Sequence, residues 1–89
     1  MKQIWKFELL SGAIDVPKDA KFLSCKATIQ FQGVKLCVWM LVDPDADPET
    51  RRYRIIGTGR AFDPEGYEYF ATVQDGEGFV WHLFWEVQS

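Results

Sequence analysis

The sequence predicts an all-β protein: a single domain over residues 1–89, built of about six mainly antiparallel strands as a small sandwich or barrel. Three observations carry this. No stretch keeps a 3.6-residue apolar repeat for three helical turns. Runs rich in Val, Ile, Thr, Tyr, Phe and Trp recur along the whole chain, punctuated by Gly, Pro and Asp. Finally, 47% of the residues are hydrophobic and 16% aromatic, more large apolar surface than so short a chain buries easily. Either the core is unusually aromatic or part of that surface meets a ligand or another chain.

The elements follow in order. In KQIWKFELL (residues 2–10), Trp5, Phe7 and Leu9 alternate with Lys6 and Glu8, the pattern of a half-buried strand. SGAIDVPKDA (11–20) reads as loop, broken by Gly12 and Pro17. KFLSCKATIQF (21–31) puts Leu23, Cys25, Ala27, Ile29 and Phe31 on one face. It forms a hairpin with VKLCVWMLV (34–42) through a Gln32-Gly33 turn, with Phe31 opposite Val34, Cys25 opposite Met40 and Cys37 opposite Thr28. The two thiols then lie on opposite sides of the sheet, so no disulfide is expected. VKLCVWMLV is apolar on both faces, which predicts a central or covered strand. After the DPDADPE loop (43–49), RRYRIIG (51–57) is a strand, with Arg52 and Arg54 on one face and Arg51 and Tyr53 on the other. GTGR (57–60) and AFDPEG (61–66) follow, the latter a short helical or type I turn at Asp63-Pro64-Glu65. The tail is a hairpin turning in Asp75-Gly76-Glu77-Gly78. On its second strand Phe79, Trp81, Leu83, Trp85 and Val87 share one face, and Val80, His82, Phe84 and Glu86 the other. Meander order is the simplest topology for these strands.

Charge and termini narrow the function classes. The net charge is −3 and the sequence pI about 5.0, which argues against general nucleic-acid binding, although a local basic patch is compatible with it. MKQIWKFELL is too short and too charged for a signal peptide, and no apolar run reaches membrane-spanning length. A soluble, cytoplasmic protein without membrane contact is expected.

Four groups of residues invite a chemical reading. Asp43, Asp45 and Asp47 alternate like the first ligands of a calcium loop, but the sixth position from Asp43 is Pro48 and the twelfth Arg54, where Gly and Glu are required. The stretch is better read as an acidic, proline-stiffened turn. Arg51, Arg52 and Arg54 precede Gly57-Thr58-Gly59-Arg60. Glycines that admit close backbone approach, a hydroxyl and guanidinium forks make an anion pocket one reading, and a glycine-permitted bulge beside a charged edge the other. His82, the single histidine, is either a packed group in an aromatic strand or a general base. Trp39, Trp81 and Trp85 lie on strands expected to be central, where they serve as core or as stacking platforms for a base. No cofactor fingerprint, metal-ligand spacing or catalytic signature is present.

IWKFEL (4–9), VPKDAKFLS (16–24), LCVWMLVDPDA (36–46), ETRRYRIIGTGR (49–60) and FVWHLFW (79–85) stand in the same order as in a family of small bacteriophage and prophage proteins, which the chain resembles over nearly its whole length. It departs from that pattern at Arg60-Ala61-Phe62 and extends past it from Trp85 to Ser89. The resemblance implies a phage-type accessory protein acting by binding in the host-cell cytoplasm, commonly against a host defence. Three functions then compete. The first is a homo-oligomeric module that sequesters a small anionic ligand, a phosphorylated nucleotide. Arg51, Arg52, Arg54, Arg60 and the Gly57-Thr58-Gly59 backbone would hold phosphate, Trp39, Trp81 or Trp85 would stack, and His82 would donate. The second is an inhibitor that masks a host defence protein through residues 43–49 and aromatic surface. The third is a phosphodiesterase-like enzyme with His82 as base.

Overall fold

The computed structural model describes residues 1–30 and 33–87, with side chains at all of these except Ile29 and Gln30. Seven strands are present among them: β1 (Gln3–Glu8), β2 (Ala13–Pro17), β3 (Lys21–Gln30), β4 (Gly33–Val42), β5 (Pro48–Gly57), β6 (Tyr67–Gln74) and β7 (Val80–Glu86). They form two antiparallel sheets, β1-β4-β3 and β2-β5-β7-β6, and these pack as an all-β sandwich. The described residues include no helix, so none is long and apolar enough to cross a membrane.

Two expectations about topology are corrected. Residues 11–20 are not all loop, because Ala13–Pro17 pairs with β5 from Ala13↔Arg52 to Pro17↔Pro48. Pro17 and Pro48 terminate the pairing together at the sheet margin, where a missing N–H costs no ladder bond. Nor is the order a meander. β1 pairs with β4 in one sheet while β2 pairs with β5 in the other, so the β1–β2 and β4–β5 segments accompany each other from sheet to sheet. Hydrogen bonds hold the crossing: Leu9 N–H to Leu36 O at 2.9 Å, Tyr53 N–H to Gly12 O at 3.0 Å, and Gly12 N–H to the Tyr53 hydroxyl at 2.9 Å.

The β3–β4 register also departs from expectation. Cys25 pairs with Val38, and Cys37 with Lys26. The ladder ends at Gln30↔Gly33, so the end pair lies one residue earlier on each strand than the Phe31–Val34 pair expected. That turn, and the placement of Ile29 and Phe31 side chains, lie outside the described residues. The two thiols still fall on opposite faces, and both are free. Burial, then the neighbouring Cys37 thiol, push the Cys25 thiol up to about 11. A bulge between Phe22 and Ser24 changes the facing of β3. Phe22 therefore turns inward against the core, and Leu23, expected inside, is 43% exposed. Residues Pro64–Tyr67 form a turn closed by Tyr67 N–H to Pro64 O at 3.0 Å. Gly66 takes φ 84 at its third position, which makes it type II and not the type I expected.

The core sits where the two central strands face each other. Val38, Met40 and Val42 on β4 and Leu83 on β7 are all 0% exposed, and Leu36, Tyr53, Val16 and Leu9 complete the layer. Aromatic rings extend it toward β3 and β6: Phe70 stacks on Trp85 at 4.1 Å and 9°, and meets Phe22 edge-on at 4.9 Å. A second bulge, between Tyr69 and Ala71, adds a residue to β6, so that both Phe70 and Ala71 pack on the core side. Leu83→Ala is expected to cost about 2–5 kcal/mol in urea unfolding. Leu10→Ala, at a site 76% exposed, is expected to stay within about 0.5 kcal/mol.

Candidate functional site

Two segments far apart in sequence meet at one end of the four-stranded sheet. The first is the turn that leaves β5. Arg60 N–H donates to Gly57 O at 3.1 Å, with Gly59 at φ 88 in the third position, a conformation few side chains tolerate. Gly57 pairs with Trp81, and a Cβ on it would lie 3.3 Å from Trp81 Cζ3. The bare glycine is what lets the indole approach the backbone this closely. Thr58 N–H, donating to Val80 O at 3.2 Å, ties the turn to β7.

The second segment is the loop between β6 and β7, organised by one carboxylate. Asp75 is 5% exposed. Its Oδ1 accepts from Glu77 N–H at 2.9 Å and Phe79 N–H at 3.1 Å, and its Oδ2 from the Trp81 indole at 3.0 Å. Gly78 at φ 90 completes the reversal. Burial by itself raises the Asp75 carboxyl. The bonds from Trp81 and from the Glu77, Phe79 and Gly78 backbone outweigh it and hold the group below its ordinary value. Asp75 thus fixes both the loop and the orientation of Trp81.

Between these segments lies a cleft of about 460 Å³ lined by Gly57, Thr58, Arg60, Gly78, Phe79, Val80 and Trp81, within the size range of small-molecule sites. Four of the expected site residues, Gly57, Thr58, Arg60 and Trp81, therefore come together. Among the described residues no acid pairs with the exposed Arg60 guanidinium. Phe79 is 60% exposed at the cleft. Gly78, Phe79 and Val80 were not singled out by sequence reasoning. Their turn was legible, but no spacing in the chain announces that it faces GTGR.

His82 stands next to this cleft on the outer face of the sheet. Its Nε2 bonds the Thr58 hydroxyl at 2.8 Å and its Nδ1 the Thr72 hydroxyl at 3.0 Å, and Thr72 meets the Tyr69 hydroxyl at 2.7 Å. The pairing Ile56↔His82↔Thr72 sets this row across three strands. Both ring nitrogens are thus engaged by hydroxyls. An imidazole bonded to a hydroxyl is the elementary unit of general-base chemistry, but among the described residues no carboxylate bonds this one.

The remaining residues go elsewhere. Arg54 lies over Phe62 at 5.5 Å, in an aromatic patch with Tyr67, Tyr69 and Phe84. Arg52 is exposed on the same strand face. Arg51 is held inside the rim, donating to Ala20 O at 2.6 Å and paired with Glu49 at 3.2 Å, with its guanidinium 5.9 Å from Trp85. Arg51 and Trp85 share a smaller cleft of about 300 Å³ with Glu68 and Glu86, whose carboxylates oppose an anion. Trp39 is on the other sheet. The three arginines before GTGR therefore do not converge on the cleft. The acidic loop is a turn, closed by Ala46 N–H to Asp43 O at 3.0 Å and by Asp45 N–H to Asp43 Oδ1 at 3.0 Å. Among the described residues no three His, Cys, Asp or Glu side chains gather to hold a metal ion.

Because Asp75 sits below its ordinary value of 3.8 in the folded chain, the stability it adds is complete above 3.8 and is lost as pH falls through the lower folded-state value. Asp75→Asn is expected to remove that part of the acid sensitivity. The check is the wild-type minus variant difference in urea unfolding, followed from neutral pH down through the carboxylate range. A difference that stays constant with pH overturns the assignment.

No curated protein and no solved structure matches this chain. Residues 1–89 match the family described as a domain of unknown function, DUF7352, and the chain belongs to that family.

Proposed function

We propose that this protein binds a small phosphorylated ligand of the nucleotide class and holds it without turnover. The observation that carries this reading is the cleft joining Gly57, Thr58 and Arg60 to Trp81. Arg60 supplies a fork of charged donors for phosphate oxygens, and the Thr58 hydroxyl a further polar contact. Trp81, oriented by Asp75, and Phe79 at the mouth offer aromatic faces to a base. In a bacteriophage or prophage setting, such a module withdraws a signalling nucleotide from a host defence. Oligomerisation fits apolar side chains left outside the core, Trp5 at 37% and Leu10 at 76% exposure.

The competing reading, direct masking of a host protein, draws on Asp45 and Asp47, exposed on a turn that presents them as a fixed acidic tip. An enzymatic reading draws on the Thr58–His82 contact. One experiment separates all three. The purified protein is incubated with a panel of cyclic and ADP-ribose-type nucleotides and removed by filtration, and each nucleotide is quantified before and after heat denaturation. Depletion with intact release is the expected outcome. A chemically altered nucleotide on release identifies an enzyme, and no depletion across the panel directs the search to a protein partner. Arg60→Glu is expected to weaken binding roughly 10- to 100-fold, the range for losing hydrogen bonds to a charged group. Arg54→Glu, on the Phe62 patch, is expected to leave it unchanged. The reverse pattern moves the site to the outer face.

A further inference from the structure

The chain's charges are segregated between its sheets. The strands of the β1-β4-β3 sheet carry four lysines, Lys6, Lys21, Lys26 and Lys35, and one acid, Glu8. That is a surplus of three positive charges in a chain whose net charge is −3, so the rest of the molecule carries a deficit of six. All four lysines lie on one face. On β4 the even-numbered residues Leu36, Val38, Met40 and Val42 are buried inward, which leaves Lys35, Cys37, Trp39 and Leu41 outward. Pairing partners share a face, and the pairs are Lys6↔Trp39, Glu8↔Cys37, Lys21↔Leu41, Lys26↔Cys37 and Thr28↔Lys35.

These pairings arrange the outer face as rows, each about 6.8 Å from the next, two residues of strand apart. Lys21 stands in the Leu41 row, Lys6 in the Trp39 row, Lys26 in the Cys37 row and Lys35 in its own. Every row holds one cation. Glu8 neutralises only the last of them, through its ion pair with Lys35, which also keeps the Lys35 ammonium protonated above its ordinary range. Trp39 is half-buried in the second row with the Lys6 ammonium 5.9 Å from its ring centroid.

We infer that this face binds single-stranded nucleic acid. A ladder of one cation per row suits a chain of regularly repeating negative charge, and a tryptophan within the ladder supplies the face on which a base stacks once Lys6 swings aside to a phosphate. The acidic loop of a second copy is a poorer match. Its aspartates are wrapped into a turn by the Asp43–Ala46 hydrogen bond, and cannot lie extended along four rows. The net negative charge of the remainder disfavours binding elsewhere on the molecule.

The test is fluorescence anisotropy of a short labelled oligothymidylate with the full chain over a range of salt. Binding is expected at low salt, with log K falling against log[salt] at a slope of about −2 to −3, the value for three to four lysines on a single strand. Lys21→Glu with Lys26→Glu is expected to weaken binding at least tenfold and flatten the slope. Trp39→Leu is expected to weaken it about tenfold with the slope kept. Arg60→Glu, on the other sheet, is expected to change neither. Circular dichroism confirms that each variant is folded. No binding at the lowest salt overturns the inference, as does binding that survives the lysine reversals. Competition by polyglutamate as strong as by unlabelled oligonucleotide, with Trp39→Leu unaffected, overturns it in favour of an acidic protein partner.

Discussion

The inward side chains of β4 and β7 are the constraint on which the rest of the structure leans. A chain of 89 residues has little interior to offer, and Val38, Met40, Val42 and Leu83 are the side chains in it at 0% exposure. Each sits on the central or near-central strand of its sheet, so hydrogen-bonded neighbours flank it on both sides. With β4 in that position, β1 and β3 must pair on either side of it. With β7 so placed, β5 and β6 flank it, and Gly57 is brought opposite Trp81. The candidate cleft is thus a product of the core register. It forms because the strand that carries Leu83 inward also carries Trp81 to the end of β5.

The same constraint explains why the two outer faces differ. Once alternate residues of β4 are committed inward, the intervening residues are committed outward, and they are flanked there by lysines from β1 and β3. On the second sheet the outward residues of β7 are His82 and Phe84, and their neighbours are hydroxyls and rings. A net charge of −3 averages over these two unlike surfaces. Binding is decided by the local charge within a Debye length and not by the total.

Asp75 shows how little is needed to link loop geometry to site geometry. One carboxylate caps the β6–β7 connection through two backbone N–H groups and fixes the Trp81 ring through a third bond. A side chain that fills a hydrogen-bonding role in a turn therefore also sets the aromatic wall of the cleft. Gly57 acts from the opposite side by leaving room for that ring.

What the sequence determined by itself is the β class, most strand positions and the facing of β5 and β7, because these follow from alternation and turn chemistry that act over a few residues. The acidic stretch was legible as a turn from Asp43 to Asp47 for the same reason, while Pro48 and Glu49, expected in that loop, already belong to β5. Besides strand order and the β3–β4 register, three features were not legible. A bulge at Leu23 inverts the facing of everything before it, and a one-residue insertion leaves no mark on an apolar alternation. Ala13–Pro17 has the composition of a loop and becomes a strand only because β5 offers it an edge. The sequence also placed Arg51, Arg52, Arg54 and Arg60 in one run, whereas the tertiary structure sends one to the inner rim, two to the outer face and one to the cleft. Adjacency in the chain turns side chains to alternate sides of a sheet, and only strand pairing decides which distant residues each side then meets.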